Sequence, residues 1–252
     1  MPDPLLETRE LRKRFGGSLA TDSVSITLDP GELHAVIGPN GAGKTTLVAQ
    51  LAGELAPDHG AVLFAGDDVT AEPPHRRAAR GLIRSFQVTS VFPDFTALDN
   101  VAMAVLSREG GFHFWRPARR DPALRDPARA RLAECGLDTR ADVLAGALSH
   151  GERRALELAM ALAARPRALL LDEPLAGMGP EDSARMIRLL ATLKGQLGIL
   201  LIEHDMDAVF ALADRVTVLA DGRVIATGAP ETVRRDPIAR AAYLGEEALA
   251  SC

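Results

Sequence analysis

The chain has 252 residues, 47% of them hydrophobic and 25% charged, which supports one large domain carrying a subdomain and argues against disorder. Its net charge of −5 at pH 7, with basic residues spread along the sequence, gives no strong electrostatic case for nucleic acid, which demotes that class without excluding it. Cys135 and Cys252 fit neither a disulfide framework nor a metal spacing and suit a reducing cytosol, and the six histidines form no cluster with them.

The start, Met1-Pro2-Asp3-Pro4-Leu5-Leu6-Glu7, has no basic leader before an apolar run, which argues against a secretory signal. No window approaches the ~18 consecutive apolar residues of a membrane helix, so work at a membrane requires another chain to supply the span. Apolar runs at 24–28, 35–37 and 61–64 predict strands, with an antiparallel β piece before residue 38.

Directly after the run His34-Ala35-Val36-Ile37 comes Gly38-Pro39-Asn40-Gly41-Ala42-Gly43-Lys44-Thr45-Thr46, and then the helical pattern Leu47-Val48-Ala49-Gln50-Leu51-Ala52. Strand, glycine-rich loop, helix is the context that a phosphate-binding P-loop requires. Glycines let the backbone N–H groups turn toward phosphate oxygens, Lys44 adds a charge over the β- and γ-phosphates, and Thr45 offers a hydroxyl to Mg²⁺.

From about 89 to 164 strand signals give way to helical stretches at 97–106, 127–135 and 151–164, which reads as a helical subdomain inserted in an α/β core. Within it, 110–131 is rich in Arg, Pro and aromatics and reads as an exposed excursion. Leu148-Ser149-His150-Gly151-Glu152 opens the last of these helices; Ser149 suits an N-cap, and a hydroxyl, a glycine and a helix N-terminus together also make an anion site.

Ala168-Leu169-Leu170-Leu171-Asp172-Glu173-Pro174 is an apolar strand ending in two carboxylates. Beside the P-loop strand it would place Asp172 to hold Mg²⁺ through water, and Glu173 where a water attacks the γ-phosphate. The run at 199–202 leads to Glu203-His204-Asp205, putting His204 at a second strand end as a γ-phosphate contact. Runs at 216–219 and 224–227 flank Asp221-Gly222 and read as a tight hairpin. The unalternating runs suit strands buried on both faces, hence a mixed sheet with flanking helices.

The P-loop, Gln87 in Ser85-Phe86-Gln87, the Leu-Ser-x-Gly-Glu turn, the Asp-Glu strand end and the later His stand in the order of the ATP-binding-cassette ATPases, which the chain resembles over nearly its whole length. The resemblance implies the P-loop NTPase fold of that family, with 1–88 and 165–252 as a RecA-like core carrying the β piece and 89–164 as the helical subdomain. It implies ATP and Mg²⁺ as ligands, with Phe15 stacking on adenine, residues 38–46 on the phosphates, and Thr45, Gln87 and Asp172 at the metal. Catalysis would fall to Glu173 as general base, with His204, Lys44 and Gln87. Ser149 and Gly151 match the turn that meets the γ-phosphate of an opposite subunit, so two ATP would be sandwiched between two such ATPase subunits arranged head to tail, identical or not. His150 stands where many members have Gly, Arg153 where Gln is frequent, and Gly179 where Asp is usual.

Phrases such as Lys13-Arg14-Phe15-Gly16-Gly17, Gly177-Met178-Gly179-Pro180, Glu203-His204-Asp205-Met206-Asp207 and Ala242-Tyr243-Leu244-Gly245 look like the ATPase subunits of bacterial branched-chain amino-acid importers and their urea and short-amide relatives. That branch implies a peripheral protein on the cytoplasmic face of the inner membrane, driving import through transmembrane permease subunits, with a solute-binding protein as an indirect partner and no nucleic acid. Export cassettes share every catalytic motif, and non-transport cassettes of repair or translation usually carry coiled-coil insertions, zinc modules or tandem cassettes, none visible here. The segment after Gln87, with Phe92 and Phe95, is the expected dock for the permease.

Overall fold

The apolar runs at 35–37, 169–171 and 199–202 become strands buried on both faces. The computed structural model describes residues 3–85, 91–109 and 121–244. In chain order its strands are β1 (Leu6–Phe15), β2 (Ser18–Val24), β3 (Thr27–Leu28), β4 (Leu33–Ile37), β5 (His59–Phe64), β6 (Asp67–Asp68), β7 (Leu82–Ser85), β8 (Ala168–Asp172), β9 (Gly198–Ile202), β10 (Arg215–Ala220) and β11 (Arg223–Gly228). The helices used below are α1 (Lys44–Ala52), α2 (Pro74–Ala79), α3 (Ala97–Glu109), α4 (Pro122–Glu134), α5 (His150–Ala163), α6 (Pro180–Leu193) and α7 (Met206–Leu212).

Among the described residues the larger sheet runs β11-β10-β4-β9-β8-β7, parallel except for β11, which returns antiparallel to β10. Every residue of β4, β8 and β9 is buried. Alternate side chains enter two cores: Ala35, Leu169, Leu171 and Leu201 face the one that α3 to α7 cover, while Val36, Leu170 and Leu200 face the one shared with α1 and the antiparallel strands. The turn between β10 and β11 is Asp221-Gly222, with φ of 47° and 74°, the two left-handed residues a tight hairpin needs.

Four expectations are corrected. The run at 24–28 is not one strand, because β2 stops at Val24 and β3 starts at Thr27. One backbone bond persists there, from the Thr8 amide to Ile26 O at 2.8 Å, and side chains supply the rest: Ser25 Oγ accepts from the Glu10 amide at 2.9 Å and Thr8 Oγ1 from the Ile26 amide at 2.9 Å. Of the excursion expected over 110–131, residues 110–120 lie outside the described residues and the rest is largely α4, which begins at Pro122 rather than 127, with Asp121 accepting from the Ala123 amide at 3.0 Å as its cap. Leu124, Ala128 and Leu132, spaced four apart, bury its inner face, and that burial outweighs the backbone bond lost at Pro127 inside the helix. Finally, β8 is not beside β4: β9 pairs with both, so the Asp-Glu strand end lies one strand away from the P-loop strand.

His34, in β4, is a buried joint between strands. Its Nδ1–H donates to Thr27 O at 2.8 Å, so Nε2 is the acceptor from Thr217 Oγ1 at 2.7 Å, and Thr217 in turn sits 2.9 Å from Thr227 Oγ1. Burial holds the imidazole neutral, with its pKa pushed down to about 4. The unfolded chain takes up this proton first as pH falls, so the contribution is full above about pH 6.5 and lost between there and about pH 4, roughly 3 kcal/mol in all. Denaturant midpoints should therefore show wild type losing about that much relative to His34→Gln between about pH 7.5 and pH 4; a flat difference would contradict a neutral His34. Cys135 is likewise a packing residue, its buried thiol pushed up to about 12, while Cys252 lies outside the described residues.

Candidate active site

The loop after β4 is closed in by two other strands. A Cβ on Gly38 would lie 2.0 Å from Leu219 O of β10, and one on Gly43 2.0 Å from Ala20 O of β2, both backbone atoms that cannot move aside. The Gly222 amide donates to Ala42 O at 3.0 Å and the Asp22 amide to Gly222 O at 2.8 Å, so the β10–β11 turn and β2 brace the loop. Gly43, at φ 101°, turns the chain into α1, whose first turn carries no acid and no side-chain cap. Its first amides are thus free for an anion, which the helix dipole favours by roughly 0.3–1 kcal/mol, and more when partly buried.

Lys44 is only 6% exposed, and its ammonium folds back over the loop to Gly38 O at 2.6 Å and Pro39 O at 2.9 Å. Burial lowers its pKa, opposed by the charges of Glu173 and Asp172. Asn40, Gly41 and Thr45 are exposed around it, Pro39 and Thr46 are half-buried, and Ala42 is buried.

The acids arrive from β8. Asp172 is buried, and its Oδ2 accepts from Arg84 Nη2 at 2.9 Å; Arg84, in β7, also pairs with Glu54 beyond the end of α1. Glu173 leaves the strand at φ 52°, a left-handed geometry that costs a non-glycine residue free energy. Its amide donates to Ile202 O at 2.9 Å, and its side chain points outward, 41% exposed, to accept from His204 Nε2 at 2.5 Å. Lys44, Asp172, Glu173 and His204 therefore converge at one edge of the sheet. A cradle for phosphates beside a carboxylate–imidazole pair has the parts for transferring a phosphoryl group to water.

Ser149 and Gly151 sit elsewhere. Ser149 caps α5, accepting from the Glu152 amide at 3.2 Å while Glu152 Oε2 accepts from the Ser149 amide at 2.8 Å, and Arg140 holds Glu152 at 2.7 Å. Gly151 is required by packing, since a Cβ would lie 2.2 Å from Asp182 Oδ2 in α6. Among the described residues no hydrogen bond joins this turn to residues 38–46; His150 Nε2 instead donates to Ala176 O at 3.1 Å, in the loop after β8.

Phe15 ends β1 at the hairpin turn Gly16-Gly17 and is 52% exposed, not a core residue of an edge strand. Its hairpin continues into β2, the strand that crosses Gly43. Gln87 lies outside the described residues. Sequence reasoning misses Arg84, although Arg84-Ser85 directly precedes Phe86-Gln87, and gives Glu203 no role, although an acid adjoining an apolar strand is a visible signal.

The profile described as "ABC transporter" matches residues 21–176, and that described as "Branched-chain amino acid ATP-binding cassette transporter" matches residues 223–248. The chain is 36% identical over 255 residues to the high-affinity branched-chain amino acid transport ATP-binding protein BraF of Pseudomonas aeruginosa, covering 98% of this chain and 100% of the relative. It is also 36% identical over 244 residues to the lipopolysaccharide export system ATP-binding protein LptB of Acidithiobacillus ferridurans, with 96% and 98% covered. A crystal structure of an ABC transporter's ATP-binding cassette in its ADP conformation superposes with a TM-score of 0.85 at 29% identity, over 96% of this chain and 99% of that one. With the mixed sheet, the braced P-loop and the Asp-Glu strand end already in place, these matches show that the chain belongs to the ABC transporter family, as one of its nucleotide-binding ATPases.

Proposed function

We propose that this ATPase powers import of branched-chain amino acids, or of related small amides, through separate permease subunits on the cytoplasmic face of a bacterial inner membrane. The observation that carries the solute class is the match of residues 223–248 to the branched-chain cassette profile. It favours import over the export suggested by the equal identity to LptB. No helix among the described residues is long and apolar enough to cross a membrane.

In this reading residues 38–46 hold the phosphates of ATP, Phe15 stacks on adenine, and Glu173, oriented by His204, takes the proton of the attacking water. Lys44 exchanges its two carbonyl partners for β- and γ-phosphate oxygens. Thr45, Asp172 and Gln87 would hold Mg²⁺; a hydroxyl and a carboxylate are the hard oxygen donors that ion takes, and Asp172 fits because Arg84 fixes Oδ2. The ion would neutralise charge on the phosphates. We read 89–164 as the helical subdomain and 1–88 with 165–252 as the core, so that Ser149 and Gly151 complete the site of a second ATPase subunit. A solute-binding protein would be an indirect partner.

The dock is read from Phe92 and Phe95, which are 48% and 36% exposed with ring centroids 5.3 Å apart. Buried Asn100 of α3 fixes the turn beneath them, accepting from the Phe92 amide at 2.8 Å and donating to Phe92 O at 3.1 Å and Thr96 O at 3.0 Å. Aromatics on a rigid turn make interface anchors. In proteoliposomes holding the permease, leucine-loaded binding protein should stimulate ATPase activity, and Phe95→Asp should abolish that stimulation without changing nucleotide binding or folding. Stimulation by no branched-chain amino acid would overturn the solute class, and full stimulation of Phe95→Asp would overturn the dock.

A further inference from the structure

We propose that Glu203 is a positioning residue whose buried carboxylate clamps the loop after β8 to the loop after β9 and so fixes the Glu173–His204 pair. The inference rests on the reading of that pair as the hydrolytic machinery.

Register brings the parts together. Asp172 pairs with Ile202 across β8 and β9, so Glu173 and Glu203 are the first residues beyond two aligned strand ends. Their side chains then separate: Glu173 turns outward, while Glu203 is 3% exposed. Both Glu203 oxygens are engaged, Oε1 accepting from the Leu175 amide at 2.8 Å and Oε2 from the amides of His204 at 2.9 Å and Asp205 at 3.4 Å. Among the described residues no Lys, Arg or His side chain forms an ion pair with it, so this buried charge is held by backbone amides. Charge-assisted bonds of this kind are about twice as strong as neutral ones.

The gripped loop is itself tight. The Ala176 amide donates to Glu173 O at 3.2 Å and the Met178 amide to Leu175 O at 3.1 Å, two overlapping turns. His150 seizes the same loop from the start of α5, through Ala176 O. A carboxylate at Leu175 therefore restrains Glu173 two residues back, while its other oxygen restrains the backbone of His204. Replacing Glu203 by Gln keeps the length but turns one oxygen into an NH₂ that faces an N–H, freeing one of the two loops. The 2.5 Å contact between His204 and Glu173 then loses its fixed geometry.

The test is turnover of the assembled transporter carrying Glu203→Gln, His204→Ala, both together, or Glu173→Gln, with single-turnover rates where activity is low. Glu203→Gln should lower kcat about tenfold or more, as loss of catalytic alignment does, with KM for ATP unchanged. Because Glu203 acts by fixing the Glu173–His204 pair, adding Glu203→Gln to His204→Ala, where no pair remains, should lower the rate by a much smaller factor, whereas a purely structural tie would cost the same factor in both backgrounds. Wild-type kcat in Glu203→Gln, or equal factors in both backgrounds, would overturn the proposal. If Glu173→Gln also turned over at the wild-type rate, the parent reading would fall with it; with Glu173→Gln inactive, only the clamp falls. Should Glu203→Gln not fold, hydrogen exchange on the wild-type chain decides: the Leu175 and His204 amides should be protected, and exchange at the rate of open loops would overturn the clamp.

Discussion

Glu173→Gln is expected to bind ATP as tightly as wild type and to hydrolyse it about 10²–10⁴ times more slowly, the usual loss when a general base is removed. The substitution is nearly isosteric and keeps the left-handed backbone at φ 52°, so the loop and the amide bond to Ile202 O should survive. What is lost is the basic oxygen to which His204 Nε2 donates at 2.5 Å. Lys44→Ala should behave in the opposite way. Its ammonium, held over the loop by two carbonyls, is read as a contact to the phosphates, and its removal should weaken ATP binding. Nucleotide affinity of the isolated chain and phosphate release by the assembled transporter separate the two effects. Wild-type turnover by Glu173→Gln would remove it from the role of base.

The features that the sequence disclosed are those whose chemistry is local. β4, β8 and β9 were visible because strands buried on both faces must be apolar throughout, and the P-loop because only glycine tolerates the approach of Leu219 O and Ala20 O. β1, Leu-Glu-Thr-Arg-Glu-Leu-Arg-Lys-Arg-Phe, escapes a strand assignment of its own because its alternation is broken by charges, some paired locally, as Arg9 is with Glu7, and some at a distance, as Lys13 is with Asp58, 45 positions on. Strand order is not local information, so nothing in the Asp-Glu run disclosed that β9 would separate it from β4. Arg84 and Glu203 were hidden for the same reason, since their partners Asp172 and Leu175 lie 88 and 28 positions away. Pro127 masked the start of α4 because proline more often opens a helix than sits within one.

The central claim is that each chain carries two half-sites, one around Lys44 and Glu173 and one at Ser149, that meet only across a pair of subunits. Glu152 and Arg140 lock the Ser149 turn within its own chain, and it is tied to the loop after β8 rather than to residues 38–46 of that chain. ATP should therefore act as the bond between subunits, and slow hydrolysis should preserve that bond. Ser149→Asp separates the two duties of this residue: aspartate caps a helix about as well as serine, so α5 should stay intact, while its charge would repel a γ-phosphate. Sedimentation velocity of Glu173→Gln tests the claim most directly. With MgATP it should run as a dimer and without nucleotide as a monomer, and Glu173→Gln/Ser149→Asp should remain monomeric in both. A monomer of Glu173→Gln at saturating MgATP, or an equally stable dimer of the double variant, would contradict it.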